Sequence, residues 1–293
     1  MYKLVLFRIC ERLFVGFRLS QQFMIGLGII LLIALHSILA SATALQLNLV
    51  PSNLLMERLK AGSVSASKRQ ESIEKLFAAV GCTTEEQKIT RKQANVICTL
   101  PGEGSDTILV GGHFDFAERG QGIVDDWSGT ALLPSLYQTL KDERHHHTFR
   151  FVAFAAEEKG LVGSTDYVKT VDPEELARVK AFINLECLGL APPKVWVHRS
   201  SPLLVHHLST VANAIHIPLA GVDVDRVGDD DTHPFTSRKV PVISIHSLTQ
   251  ETLSILHSNR DTAEAVKPQN YYDAYKLTAF YLAYLDQNLS RTN

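Results

Sequence analysis

The sequence has no long block of basic residues after residue 60, and its formal net charge is only -2. A folded part without a basic surface has little attraction for nucleic acid or for an anionic membrane surface. The chain also lacks an internal repeat and a low-complexity tract, which excludes a repeat architecture. Small molecules, peptides and other proteins remain as partners.

Cysteine is scarce, with only four residues in the chain. Cys187 has no second cysteine at metal-binding spacing, so we interpret it as a core residue. Cys82 and Cys98 flank a predicted hairpin, and an oxidising compartment would allow them to form a disulfide. Two buried free thiols are the alternative.

Charged residues are absent from residues 23–35, and the apolar tract continues to Leu45. This length approaches the roughly 20 residues that span a bilayer. The positively charged residues before it outnumber the single Glu11; they are Lys3, Arg8, Arg12 and Arg18. This asymmetry predicts a cytoplasmic segment 1–22, a transmembrane signal anchor 23–45 and an extracytoplasmic domain 46–293. Small residues at 40–44 resemble a cleavage site, so a signal peptide and an exported protein are the alternative.

Residues 46–66 show no strong periodicity and are predicted to form a stalk, followed by a helix over Ser67–Val80 that ends at Gly81. Further helices are predicted at 128–141, 201–215 and 268–287. Strands are predicted at 86–90, 95–100, 107–111, 149–156, 181–185 and 240–245. This alternation indicates an α/β fold with a largely parallel sheet covered by helices on both faces.

The apolar run 108–110 ends in Gly111-Gly112-His113-Phe114-Asp115. Polar residues at the carboxyl end of a buried strand lie where open α/β sheets bind ligands. His113 and Asp115 share a face in an extended chain, so Asp115 could hydrogen-bond one imidazole nitrogen and leave the other for a metal. A simple polar pair at a strand end is the alternative.

Three further acidic or histidine clusters follow in the chain. Asp125 and Asp126 open a predicted helix, where acidic residues are also common as caps. Glu157 and Glu158 end the apolar strand 149–156, which is costly unless a cation lies near them. Glu186 ends strand 181–185, and His257 lies in a predicted loop four residues before Asp261.

The order of these clusters resembles the M28 family of co-catalytic zinc aminopeptidases, over about residues 95 to 265. The motifs of that family are His-x-Asp, Asp-x-x-Ser-Gly, Glu-Glu-x-Gly-Leu-x-Gly-Ser, an acidic residue after a strand, and a late histidine. The chain matches all five, although Glu186 stands where aspartate is more common. The resemblance implies a three-layer α/β/α sandwich with a mixed, mostly parallel sheet, here preceded by one amino-terminal hydrophobic helix.

The resemblance also implies the role of each residue. His113 and Glu186 would hold one Zn²⁺, Glu158 and His257 would hold the other, and Asp125 would bridge the two ions. Glu157 would be the general base, and Asp115 would orient His113. In an extended strand end, Glu157 and Glu158 would point in different directions.

Other histidines and acidic residues are interpreted more simply. His145-His146-His147 is predicted to be a solvated loop, and His206 and His207 are interpreted as packing or surface residues. Three consecutive carboxylates at 229–231 also suggest a solvated loop. Because the resembled family has a similar segment beside its active centre, Asp231 or His233 is expected to line the substrate pocket.

These observations lead to the expectation of a zinc aminopeptidase that takes peptides with a free amino terminus and binds two Zn²⁺ ions per chain. A glutaminyl cyclase, which shares the fold and binds one zinc, is the first alternative. A catalytically inactive ectodomain that serves as a receptor or scaffold is the second. The intact set of buried carboxylates argues against that second alternative, because unpaired buried charge is costly.

Overall fold

The central sheet has eight strands, and the computed structural model describes residues 46–62, 65–225 and 228–290. The strands are β1 (Thr84–Lys88), β2 (Ala94–Leu100), β3 (Thr107–His113), β4 (Thr148–Phe154), β5 (Val179–Glu186), β6 (Lys194–Val195), β7 (Ala220–Gly221) and β8 (Val242–His246). Their order across the sheet is β1-β2-β4-β3-β5-β8-β6-β7.

The four central strands β4, β3, β5 and β8 run parallel to one another. Antiparallel pairs are formed by β1 with β2, β2 with β4, and β6 with β8. Every residue of β3 and β8 is buried, as expected for strands covered on both faces. The prediction of a mixed, mostly parallel sheet between helical layers is therefore confirmed.

The α-helices are α1 (Ser52–Lys60), α2 (Ala66–Ala79), α3 (Ser128–Thr130), α4 (Leu133–Leu140), α5 (Val162–Thr170), α6 (Pro173–Ala177), α7 (Pro202–Ala214), α8 (His233–Thr236) and α9 (Pro268–Asn288). The helix predicted at 128–141 is split into α3 and α4, with Pro134 at the start of α4. Proline has no N–H to donate to the preceding turn, so it is tolerated only at the beginning of a helix.

The prediction of a stalk at 46–66 is wrong, because α1 packs on the domain and buries Leu55, Arg58 and Leu59. The guanidinium of Arg58 donates to Ser135 Oγ at 2.7 Å and to Gln138 Oε1 at 2.6 Å on α4. The helix is only nine residues long, and one of its three buried positions is an arginine. Its apolar periodicity is therefore too weak to be recognised.

Cys82 and Cys98 form a disulfide with a Cα–Cα distance of 6.2 Å. Cys98 lies on β2, and Cys82 precedes β1, so the bond closes the open end of this antiparallel pair. Of the two alternatives, the structure therefore shows the disulfide. Cys187 is free and buried, in agreement with its interpretation as a core residue.

The prediction of a solvated loop at His145-His146-His147 is also wrong. His145 is 6% exposed and His147 is fully buried. Asp286 near the end of α9 accepts hydrogen bonds from the backbone N–H groups of His146 and His147 and lies 3.1 Å from His147 Nδ1. The partner lies 139 residues away in sequence, so no local pattern reveals it.

The predicted segments 1–22 and 23–45 lie outside the described residues. Within the described ranges, no helix combines the length and the apolar character that a membrane span requires.

Candidate metal centre

The predicted metal-binding residues meet at the carboxyl edge of the parallel strands. His113 is the last residue of β3, and Glu186 is the last residue of the neighbouring strand β5. Glu157 and Glu158 follow β4 on the other side of β3. Strand ends of a parallel sheet lie side by side, so residues that are far apart in sequence become neighbours here.

His113, Asp125 and Glu186 form one group, with one ligand atom from each within 4.8 Å of the others. His113 Nε2 lies 3.2 Å from Asp125 Oδ1 and 3.6 Å from Glu186 Oε1. The Nε2 atom of this fully buried imidazole therefore points between two carboxylates.

Asp125, Glu158 and His257 form a second group that meets the same distance limit. His257 Nε2 lies 3.1 Å from Asp125 Oδ2 and 3.2 Å from Glu158 Oε1. Asp125 thus presents one carboxylate oxygen to each group. A carboxylate shared in this way is what two neighbouring metal ions require.

Glu157 belongs to neither group, although its Oε2 lies 3.8 Å from His113 Nε2. The expected extended strand end is wrong here, because Ala156 has a positive φ of 57° and residues Glu157–Lys159 form a 3₁₀ turn. The left-handed residue ends the strand and turns the chain. Both glutamates still reach the centre, but they contact different partners there.

Asp115 positions this turn. Its Oδ1 accepts a hydrogen bond from Glu157 N at 2.9 Å, and its Oδ2 accepts one from Glu158 N at 3.3 Å. The distance from Asp115 Oδ1 to His113 Nδ1 is 3.6 Å, which is longer than a hydrogen bond. Asp115 therefore faces His113 as predicted, but its hydrogen bonds go to the backbone of the glutamate turn.

Burial and mutual repulsion raise the pKa values of the glutamates at the centre. Burial, together with repulsion from Asp231, Glu186 and Asp125, raises the pKa of Glu157 to about 10 despite the attraction of His113. Burial and Asp125 raise the pKa of Glu158 to about 7. The pKa of Glu186 is also raised, chiefly by burial. Such a cluster is most stable as anions when cations lie among them.

The pKa values of the two histidines are raised as well, which favours their charged forms. The hydrogen bond to Asp125 raises the pKa of His257 to about 9, although burial opposes this. Burial also disfavours charged His113, but Glu157, Asp115, Asp125 and Glu186 outweigh it and raise its pKa well above the usual value.

The donor set fits zinc. Imidazole nitrogen and carboxylate oxygen are common zinc ligands, and the groups offer one histidine and two carboxylates each, counting Asp125 twice. Glu158 Oε1 is buried and accepts no hydrogen bond within the described part of the chain. A buried carboxylate oxygen without a donor is costly, and a cation would satisfy it.

The sequence prediction missed the role of Asp126, which is fully buried. Its carboxylate accepts hydrogen bonds from the backbone N–H groups of His113 at 3.3 Å, Gly129 at 3.1 Å and Cys187 at 2.9 Å. It thereby connects the ends of β3 and β5 directly beside the ligands His113 and Glu186. The adjacent acidic pair was a visible signal, but its second member resembled a simple cap.

The acidic segment 229–231 is mostly buried, so the solvated-loop prediction is wrong for Asp230 and Asp231. Of the two residues expected to line a pocket, Asp231 is fully buried and is not among the residues that line the cavity described below. Burial raises its pKa to about 7, with His113 opposing the shift. His233 does line the cavity and is largely exposed.

A cavity of about 890 Å³ contains both metal groups and extends past them. Its lining also includes uncharged residues, among them Cys187, Trp196, Val224, Ser244, His246 and Leu248. His246 accepts from Leu248 N at Nδ1 and donates from Nε2 to Val222 O. Burial lowers the pKa of His246 to about 4, so this ring remains neutral at ordinary pH. The cavity is thus lined by both acidic and uncharged side chains.

The fold and the histidines and carboxylates clustered at its sheet edge define a class, the metallopeptidase domains with an α/β/α architecture. A sequence model of Peptidase family M28 matches residues 95–282 of the chain. The chain belongs to Peptidase family M28, a family of hydrolases. The family membership expected from the order of the motifs is therefore confirmed.

Two curated relatives illustrate the sequence similarity. The leupeptin-inactivating enzyme 1 of Streptomyces exfoliatus is 29% identical over 178 residues, which cover 58% of this chain and 40% of the relative. Leucine aminopeptidase 2 of Arthroderma otae is 38% identical over 96 residues, which cover 32% of this chain and 19% of the relative. The chain therefore spans less than half the length of these relatives.

Solved structures show the same fold. LapA of Legionella pneumophila, an aminopeptidase, gives a TM-score of 0.71 at 19% identity, covering 82% of this chain and 73% of that chain. The zinc aminopeptidase BSAP of Bacillus subtilis gives a TM-score of 0.60 at 24% identity, covering 66% of this chain and 50% of that chain. A glutaminyl cyclase of Fimbriiglobus ruber gives a TM-score of 0.67 at 16% identity, covering 82% of this chain and 97% of that chain. These neighbours thus include aminopeptidases and a glutaminyl cyclase.

Proposed function

We propose that the protein is a zinc-dependent aminopeptidase that binds two Zn²⁺ ions. The observation that supports this most is the position of Asp125, whose two oxygens face His113 and His257 in separate ligand groups. A single-metal site has no need for this shared carboxylate. Neither ligand group includes Glu157, so its carboxylate is left for proton transfer.

His113, Asp125 and Glu186 would hold one ion, and Asp125, Glu158 and His257 would hold the other. Zinc supplies a Lewis acid that polarises the scissile carbonyl and lowers the pKa of water. Glu157 accepts a proton from the attacking water at its carboxylate and returns it to the leaving amine. Asp115 holds the backbone of Glu157 and so fixes the position of this carboxylate.

The charge of the centre favours a substrate with a free amino terminus. Asp115, Asp125, Glu157, Glu158 and Glu186 carry five negative charges when ionised, against four positive charges from two zinc ions. One negative charge remains beside the scissile bond. An α-ammonium group can pair with it, whereas an acetylated amino terminus cannot.

Hydrolysis of matched free and acetylated peptides tests the proposal. We expect the protein to release amino-terminal residues one at a time, to lose this activity with a strong chelator and to regain it with Zn²⁺. The acetylated peptide should not be cleaved. Equal cleavage of both peptides, or cleavage of internal bonds first, would contradict the aminopeptidase assignment.

Glutaminyl cyclisation is the second candidate, because this chain covers 97% of the Fimbriiglobus ruber cyclase but only 73% of LapA. Product analysis on a peptide that begins with glutamine separates the two. A product that loses ammonia and keeps its length indicates the cyclase, and a free glutamine indicates the peptidase. About two zinc ions per chain would also favour the peptidase, and about one would favour the cyclase.

We further propose that the catalytic domain lies on the extracytoplasmic side, either attached to the membrane through residues 23–45 or released after cleavage. The proposal is supported by the uncharged run 23–35, by the basic residues before it and by the Cys82–Cys98 disulfide. Protease accessibility of residues 46–293 in intact spheroplasts, if the source is bacterial, would test the side. The intact mass of the mature protein would distinguish anchor from signal peptide.

A further inference from the structure

The ligands His113 and Asp125 are joined by an irregular loop, residues 114–122, which also carries Asp115. The loop turns tightly at Gly120, where φ is +91° and a Cβ atom would lie 2.3 Å from Ser258 O. A segment without secondary structure needs other contacts to hold two metal ligands at fixed positions. Those contacts come from Arg69 and Asp261.

Arg69 lies on α2 and is fully buried. Its Nη1 donates to Phe114 O at 3.1 Å, and its Nη2 donates to Gln121 O. One guanidinium thus hydrogen-bonds the beginning and the end of the loop. The same group lies 4.4 Å from the ring centroid of Phe116, inside the loop.

Asp261 contacts the far end of the loop and the turn that follows it. Its carboxylate accepts hydrogen bonds from Val124 N at 2.6 Å and from Asp125 N at 3.4 Å. Its backbone carbonyl accepts one from Gln121 N at 3.0 Å. Asp261 follows His257 by four residues, so it connects the backbone of Asp125 with the segment that carries His257.

We propose that Arg69 and Asp261 are positioning residues of the metal centre, which set the distance between His113, Asp125 and His257. The inference rests on the proposed zinc centre. Arg69 precedes residue 95, where the match to the family model begins, so this contact comes from a part of the chain outside the matched region. An arginine can reach two carbonyls with one planar group, and a lysine cannot.

A purely electrostatic role for Arg69 makes the opposite prediction. The guanidinium lies close enough to Asp261, Asp115, Asp126 and Asp125 to interact with their charges. If charge were its only contribution, removing it would make the centre more negative and would strengthen zinc binding. If positioning dominates, removing it lets the loop move and weakens zinc binding.

The test compares zinc affinity of the full chain in Arg69→Lys, Arg69→Met and Asp261→Asn, measured by competition with a chromophoric chelator. Lys68→Met on the same helix is the control, because Lys68 is exposed and this substitution removes one positive charge, as Arg69→Met does. We expect all three variants to bind zinc about 10- to 100-fold more weakly, as for other residues that orient ligands, and the control to match the wild type. Arg69→Lys keeps the positive charge, so any loss of zinc affinity in this variant reports the changed hydrogen-bond geometry alone.

Circular dichroism and thermal unfolding of the zinc-free proteins separate loss of folding from loss of positioning. If Arg69→Met does not fold, Arg69→Lys decides the question, because it keeps the net charge that Asp261→Asn alters. Wild-type zinc affinity in Arg69→Lys, or tighter binding in Arg69→Met, would overturn the proposal while leaving the proposed function intact. A wild type that binds zinc but cleaves no peptide would overturn the function alone, and a wild type that binds no zinc would overturn both.

Discussion

Glu157 and Glu158 are adjacent residues with different surroundings. Glu158 lies 3.2 Å from His257 within a ligand group, whereas Glu157 lies outside both groups and 3.8 Å from His113. Asp115 hydrogen-bonds the backbone of both. Their side chains can therefore be exchanged for amides without disturbing the turn, and the two substitutions should have different effects.

Replacing Glu157 by glutamine should lower kcat by about 100-fold or more, because the amide keeps the size but cannot accept the proton. Zinc content should stay at the wild-type level, since Glu157 belongs to neither ligand group. Steady-state kinetics with metal analysis of the same sample would check this. Unchanged turnover would exclude Glu157 as the base.

Glu158→Gln is the matched control, with the same chemical change one residue later. It removes a ligand, so zinc content should fall together with activity. Wild-type zinc content in Glu158→Gln together with reduced content in Glu157→Gln would show that the two roles have been assigned the wrong way round, and equal content in both would contradict the distinction between them.

At the scale of elements, α1 is part of the catalytic domain rather than a link to it. Arg58→Ala should lower the free energy of unfolding by about 1–3 kcal/mol, because Ser135 and Gln138 lose their donor in a buried contact. Lys60→Ala, at an exposed position of the same helix, should change it by less than about 0.5 kcal/mol. Urea denaturation of both variants would measure the difference, and equal stability would mean that α1 contributes little.

The sheet and the ligand positions were predictable because buried parallel strands are continuous apolar runs that stop abruptly. His113 and Glu186 are the residues at which two such runs stop, and the structure places both at strand ends. Two-residue strands such as β6 and β7 carry no pattern of their own, so they were not predicted. The individual roles came from resemblance, since spacing alone does not distinguish a ligand from a base.

Contacts between distant segments were beyond prediction. Arg69 reaches Phe114 and Gln121 from 45 and 52 residues away, and Asp261 reaches Val124 from 137 residues away. A buried arginine in a polar helix resembles any surface arginine in the sequence. Only the fold shows which charged residues enter the interior.

At the scale of the whole molecule, Asp286 joins the end of α9 to the start of β4. Burial alone would raise its pKa, but hydrogen bonds from His145, His147 and the backbone lower it below the usual range. The same contact raises the pKa of His145 against the effect of burial. Glu143 adds to that shift, and Glu103 lies 3.8 Å from His146 Nδ1.

The pH dependence of stability follows from these two shifts. A lowered carboxylate pKa stabilises the fold above about pH 4, and this contribution is lost as the pH falls through the folded value. A raised imidazole pKa stabilises the fold below about pH 6.5, and this contribution is lost as the pH rises through the folded value. The stability difference between wild type and Asp286→Asn should therefore be largest between about pH 4 and 6.5.

Thermal unfolding of wild type and Asp286→Asn across pH 3 to 9, about the range that both groups cover, would measure this difference. Asp273→Asn is the control, because Asp273 lies on the same helix and forms an exposed hydrogen bond with Gln269. Its difference from wild type should stay nearly constant with pH. A constant difference for Asp286→Asn as well would contradict the assigned coupling.

The contacts of Asp126 bear on how the protein acquires its metal. Its carboxylate receives the N–H groups of His113 and Cys187, so the main chain beside two ligands is held by hydrogen bonds that involve no metal. A zinc finger, by contrast, folds only when its ion arrives. The Asp126 hydrogen bonds need no metal, so they would hold the ends of β3 and β5 together in the metal-free protein as well. Metal uptake at this centre would then not require folding of these strand ends, and the protein would rebind metal after a period of shortage without refolding them.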